Sequence, residues 1–356
     1  MSVSSPENMS SSLSSDLCYD ILRRLDGATL ASAACACASF SSISKEERLW
    51  ENVCRSMWPS TNRDDVKILI SSLGGFKKFY SDCFPLIVNK DIPESHWNDY
   101  SDYYPEEWYE GETVITSPSD LVSIVDVRFK DKTVFSEVLW GIPNVNGFDG
   151  WFYDCPFRVD LLENDEIALP PILSDEGGRK DGNLWRELWD GARLSWILVN
   201  RKTRKAANLS SWTPIGGQRH WPTDRDFVLR FGSVLPAENI LPCRVVECIL
   251  IMRFRAIVGE GGSDSDSTVL RCTELSMQLG DMEGSHLNGR NSLLVLREAV
   301  GCARSKNYGE AIESCLLYSK AMSEMREEKI RYENRLDTLW IVGSIVACVT
   351  FCLYCL

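Results

Sequence analysis

LSSDLCYDILRRLDGATLASAACACASFSSISKEERLWENVCRSMW, residues 13–58, is the stretch that decides the architecture. Its spacing predicts three short helices with one shared apolar surface. The first runs from about Asp16 to Leu25, capped by Ser15 or Asp16, with Leu17, Ile21, Leu22 and Leu25 at helical intervals. The second runs from about Ala28 to Ala38, with Leu30, Ala33, Ala34 and Cys37 on one side. The third opens on a capping box of Ser44 and Glu47, carries Leu49, Trp50, Val53, Cys54 and Met57, and stops at Pro59. A unit this small cannot bury all of that surface within itself. Part of the apolar stripe is therefore expected to face another chain or the rest of this one.

Leu13, Ile21-Leu22, Leu25, Leu30, Leu49-Trp50 and Cys54 recur in the order and spacing of a known module. The stretch resembles the F-box, which docks substrate receptors onto the Skp-type linker of cullin–RING (SCF) ubiquitin ligases. Ser14 stands where the family has Pro, and Phe40 where it has Trp. The whole chain resembles plant F-box proteins, with the run to Ser60 and the Gly74-Gly75-Phe76 segment adding to the likeness. The resemblance implies a linker-binding set of Leu13, Ile21, Leu22, Leu25, Leu30, Cys37, Leu49 and Trp50, with Leu22, Leu25 and Trp50 as anchors.

At 356 residues, two folded domains are expected. A net charge of −13 disfavours nucleic-acid binding, which needs a basic footprint. The 14 cysteines show no disulfide-dense region, and no secretory signal precedes them, so free thiols in a reducing compartment are expected.

Residues 1–12 read as a disordered tail, 13–60 as the F-box and 61–90 as a helical connector. In the connector Val66, Leu69, Ile70 and Leu73 form one helical face, ended by Gly74-Gly75, and residues 76–84 add a further short helix. Asp91 to Glu112 holds eight carboxylates, no Lys or Arg, and many aromatic residues, and reads as a solvated loop pinned by its rings.

Residues 91–290 form the β-rich substrate-recognition domain, since the apolar period falls to two. Strands are expected at 121–129, 133–140, 193–200, 206–212, 227–231 and 245–258, with 268–279 returning as a hairpin partner. In the longest, Val246, Cys248, Leu250, Met252, Phe254, Ala256 and Val258 face a core, and Glu247, Arg253 and Arg255 face the wetter side. This argues an antiparallel, sandwich-like sheet. The Trp-rich segments are similar to plant lectin-like F-box receptors, which makes a membrane-anchored lectin-like or peptide-binding module the alternative function. Trp212, Gln218, His220 and Trp221 are the candidate substrate-binding residues, in a turn-rich aromatic segment. Residues 201–205 read as a charged hairpin tip.

Residues 291–337 return to helical period as a hairpin. The last segment, 338–356, is 19 residues without a charge, about 28 Å as a helix. That approaches the ~30 Å hydrocarbon thickness. Lys329, Arg331, Arg335 and Trp340 flank its start, the layout of a single-pass tail anchor with the bulk of the chain in the cytosol. Asn8 and Asn208 lie in glycosylation sequons that cytosolic placement leaves unmodified.

No catalytic motif or metal-ligand spacing stands out, and only three histidines are present. The reading is an α+β chain without cofactor or metal: a three-helix F-box, helical connector, β-rich domain, helical hairpin and hydrophobic tail helix. It is expected to be a non-catalytic adaptor. Its partners are a Skp-type linker and through it a cullin–RING ligase, an unknown substrate protein, and a membrane met through 338–356.

Overall fold

A computed structural model describes residues 14–92, 117–142, 149–162, 166–168, 182–220, 226–238, 240–241, 244–258 and 268–355. Most of the acidic, aromatic stretch 91–112 lies outside these residues, as do Leu13 and Trp221. The chain divides into two compact units, Met1–Asp82 and Cys83–Leu356.

The first unit is helical: α1 (Ser15–Leu22), α2 (Gly27–Ala33), α3 (Ala38–Ile43), α4 (Glu47–Met57), α5 (Asp64–Leu73) and α6 (Phe76–Cys83). Four helices stand where three were expected over 13–58. The long second helix breaks at Ala34, and Cys37 takes the N-cap position of a new one. The run Ser32 to Ala36 is all small residues, with no bulky side chain to hold a continuous helix onto a core. α1 is capped by Ser14, whose hydroxyl accepts from the Leu17 N–H, and it ends three residues short of Leu25.

The expected capping box does not form. Glu46 is the N-cap of α4 and makes no side-chain cap bond. The Glu47 carboxylate instead accepts from the Phe76 N–H at the start of α6. Gly75, at φ 93°, makes this possible, since a Cβ there would lie 2.5 Å from Glu47 Oε1. Pro59 ends α4 as expected. Val66, Leu69, Ile70 and Leu73 of α5 are all buried. The helices of 64–82 thus belong to the first unit's own core.

The second unit is β-rich, and the chain is α+β. One sheet has the order β12-β1-β7-β6-β2-β3, from Arg304–Ser305, Leu86–Ile87, Lys205–Asn208, Ala192–Asn200, Leu121–Phe129 and Lys132–Trp140. The other has the order β4-β11-β10-β9-β8, from Arg158–Asp160, Thr268–Gly280, Val245–Val258, Asp226–Pro236 and Gly216–His220, with β5 (Ile167–Ala168) on β11. Pairing is antiparallel except for β1 on β7. Two further helices are α7 (Asp149–Asp154) and α8 (Gly182–Gly191).

Side chains from both sheets enter one apolar cluster: Val125, Trp196 and Leu198 from the first, Phe231, Cys248, Leu250 and Met252 from the second. The alternation read in β10 holds on this face from Val246 to Phe254, all buried, with Ala256 half-buried. On its other face Glu247 is only 5% exposed, against the wet position expected, and pairs with Arg230. Burial pushes the Glu247 carboxyl above its ordinary range, and the Arg230 charge opposes that rise. A long helix covers this spot. Its Cys315 lies against Gly232, and its Tyr318 hydroxyl donates to the Gly280 carbonyl at 3.4 Å.

That helix is α10 (Tyr308–Cys355), 48 residues without a break. It follows α9 (Gly289–Ala299), whose Leu293, Val295 and Leu296 join the same core. The expected hairpin and tail helix are therefore one hairpin whose second arm continues through the tail. Asn208 is buried, and its amide oxygen accepts from the Trp196 and Ser210 N–H groups, so this sequon sits inside a sheet.

Candidate docking surface of the N-terminal unit

The inner wall of the first unit is aromatic. The Trp50 Nε1–H donates to the Ser44 carbonyl at 2.7 Å, and the ring lies 5.4 Å from Tyr80. Trp58, fully buried, meets Phe79 edge-on at 5.6 Å. α2 can approach because Gly27 has no side chain; a Cβ there would fall 2.2 Å from the Tyr80 ring. Leu22, Leu30, Leu49 and Cys54 complete this interior. Burial raises the Cys54 thiol well above its ordinary range and leaves it inert.

Four of the eight residues of the expected linker-binding set lie inside this unit. Leu22, Leu30, Leu49 and Trp50 have exposures of 0, 0, 1 and 3%. In this conformation they offer a partner little surface, and α6 covers part of the apolar face of α4 through Tyr80 and Phe76. Leu25 is half-buried, and Ile21 and Cys37 are exposed.

Outside, among the described residues of this unit, α5 carries one exposed large apolar side chain, Ile68 at 73%, and α1 carries two side by side. Leu17 and Ile21 are 49% and 41% exposed and stand one turn apart on one face. Cys18 and Leu22, each one residue on, point inward. α3 runs beside α1, and its Phe40 and Ile43 are half-buried. Cys35 and Cys37, between α2 and α3, are exposed. The result is an apolar strip with a small-residue flank.

Leu17 was legible as a helix residue but not as a surface one. The signal was the doubled pattern 17/21 and 18/22: an eight-residue helix apolar on two adjacent faces needs two partners. The strip is held rigid at its α2 side. The Asp26 carboxylate accepts from the Thr29 N–H at 2.8 Å and hydroxyl at 2.9 Å. Those bonds hold its pKa below the ordinary carboxylate value.

Of the candidate substrate-binding residues, the side chains of Trp212 and Gln218 can be placed. Trp212 is half-buried in a left-handed turn at φ 66°, its carbonyl accepting from Leu194 of β6. Gln218 is exposed on β8, in the other sheet, opposite Val228. His220 ends β8, with its side chain outside the description, and Trp221 lies outside the described residues. Among the described residues, no cluster of three or more His, Cys, Asp or Glu side chains could hold a metal ion.

Comparison with known proteins bears on the same region. Residues 15–56 match the family model described as F-box-like. The chain is 30% identical over 338 residues to F-box protein At2g27310 of Arabidopsis thaliana, covering 93% of this chain and 92% of that one. It is 29% identical over 339 residues to probable F-box protein At2g36090 of the same plant, covering 94% and 90%. With F-box protein At3g44326, also from Arabidopsis thaliana, it shares 30% over 320 residues, covering 88% and 80%. No solved structure matches.

Proposed function

Since the chain belongs to the family of plant F-box proteins, we propose that its first unit docks a Skp-type linker and recruits a target protein to a cullin–RING ubiquitin ligase. In this reading the second unit holds the target, and residues 338–356 tether the chain to a membrane. The chain acts by proximity: it raises the local concentration of a target lysine near a charged ubiquitin carrier and does no bond chemistry itself.

The observation that carries the reading is the exposed α1 strip. Leu17 and Ile21 stay outside while the neighbouring Leu22 is fully internal. An apolar pair left out of a well-filled unit is what a helical partner surface would cover. The tether rests on α10. Every residue from Thr338 to Cys355 is exposed, and the helix is long and apolar enough to cross a bilayer.

Capture of a purified Skp-type linker by the full chain tests the docking. Leu17→Asp with Ile21→Asp is expected to abolish capture while the helical circular dichroism stays unchanged; undiminished capture would remove the docking reading. For the tether, the full chain is expected in the carbonate-resistant membrane fraction and a chain ending at Asp337 in the soluble one. Equal partition of the two would remove the tether and leave the docking reading standing.

A further inference from the structure

In a chain with net charge −13, the turn between β6 and β7 reads Arg201-Lys202-Thr203-Arg204-Lys205 and is exposed throughout. The turn is also built rather than loose. Asn200, 1% exposed, turns its side-chain oxygen onto the Lys202 and Thr203 N–H groups, both at 3.0 Å. The Arg201 N–H donates to the Asp120 carbonyl at 2.9 Å. The Arg201 guanidinium lies 5.9 Å from the centre of the Trp140 ring, and Trp140 is 46% exposed. A buried amide, a strand end and an indole thus present four cations and one apolar face in a fixed arrangement.

We propose that this tip, with Trp140, is the docking site for an acidic segment of a partner protein. The inference rests on the reading that the second unit holds the target, and it names the chemistry of what is held. Charge sign selects the partner: a positive patch on an otherwise acidic chain attracts carboxylates and repels nothing acidic that must approach it. Arg201 and Arg204 suit planar carboxylates through paired N–H donors. Trp140 adds an apolar contact that pure charge attraction lacks.

The fold argues against a lipid headgroup as the occupant. α10 begins beside β12 and β1, and β1 pairs with β7 at Asn208. The Lys205 ammonium would lie 3.9 Å from a Cβ at Gly301, just before β12. The tip is therefore at the end of the unit where α10 starts. The uncharged span begins at Thr338, at the far end of the helix. At about 1.5 Å per residue, Tyr308 to Thr338 spans about 45 Å. A bilayer holding 338–355 sits well beyond the reach of an arginine on this tip.

Full-length protein in nanodiscs of neutral phosphatidylcholine, titrated into a fluorescein-labelled decapeptide of alternating Asp and Glu, tests the site by anisotropy. Binding is expected to weaken as salt rises, and to fall about tenfold or more when Arg201, Lys202, Arg204 and Lys205 are all replaced by Glu. The variant with Gln at those four positions separates loss of charge from reversal and is expected in between. Trp140→Ala is expected to weaken binding about threefold. Equal affinity for wild type and the Glu variant overturns the proposal. So does loss of peptide binding in nanodiscs containing phosphatidylserine, which would mean that lipid occupies the tip. Linker capture run on the same preparations keeps the readings apart. Peptide binding without linker capture removes the adaptor reading alone, and linker capture without peptide binding removes this one.

Discussion

α4 and α1 belong to one unit and carry similar apolar content, yet they treat it in opposite ways. α4 buries Leu49, Trp50, Val53 and Cys54, with α6 against Trp50 and Cys54, and nothing large and apolar on it is fully exposed. α1 buries Cys18 and Leu22 and leaves Leu17 and Ile21 to solvent. One helix is finished by its own chain, and the other leaves two apolar side chains uncovered among the described residues. The contrast separates packed from exposed apolar residues within one unit: Leu22 and Trp50 are internal, Leu17 and Ile21 are not.

The largest effect expected falls on the finished side. Trp50→Ala removes a buried indole, its bond to Ser44 and its contact with Tyr80, and should destabilise the first unit by about 3–5 kcal/mol. Thermal unfolding measures it. A loss of linker capture with an unchanged melting curve would break the contrast, because Trp50 would then be acting at the surface. Next in size is Gly27→Val, which drives a side chain into the Tyr80 ring and should cost about 1–3 kcal/mol by overpacking.

On the unfinished side the expectation reverses. Leu17→Asp with Ile21→Asp should leave stability within about 0.5 kcal/mol while weakening linker binding by at least about 2 kcal/mol. Chemical denaturation and calorimetric titration of the same samples would read both. A destabilisation as large as that of Trp50→Ala would place these residues in a core and end the distinction.

The smallest effect sharpens the contrast by pH. Asp26 has a lowered pKa in the folded unit, so its cap stabilises fully above its ordinary value of 3.8 and that stabilisation fades as pH falls below it. Asp26→Ala should cost about 1 kcal/mol at pH 7 and progressively less as the pH falls below 3.8. The difference between wild type and variant, followed by denaturation across that range, should shrink as the solution is acidified.

α10 repeats the lesson along one helix. Between Tyr308 and Met325 it buries Ala311, Ser314, Cys315, Tyr318 and Met325. From Ile330 on, every described residue is exposed, although the stretch after Thr338 is the more apolar one. Apolar content alone does not fix which solvent a segment faces, because periodicity decides whether one side can be packed on a protein. The first half is amphipathic and finds a sheet. The uncharged end from Thr338 is apolar all round and is exposed throughout its described length.

Local patterns made much of the rest legible. The strands at 121–129, 193–200, 245–258 and 268–279 were readable because period-two alternation is a property of neighbouring residues. The exposed tip at 201–205 was readable from charge. The capping box at Ser44 and Glu47 misled, because the true partner of Glu47 is the N–H of Phe76, 29 residues away. Glu247 misled for the same reason: α10 comes from far along the chain to cover the outer face of β10.

By itself the sequence determined the helical start, the β-rich middle, the uncharged final segment and the family. Each of these rests on residues close together in the chain or on their order, and needs no contact to be read. Only the tertiary structure decided which apolar residues of 13–58 are core and which are surface. Burial is a property of pairs of elements, and the side chains that close over Trp50 come from α6, a helix that the first 58 residues do not contain.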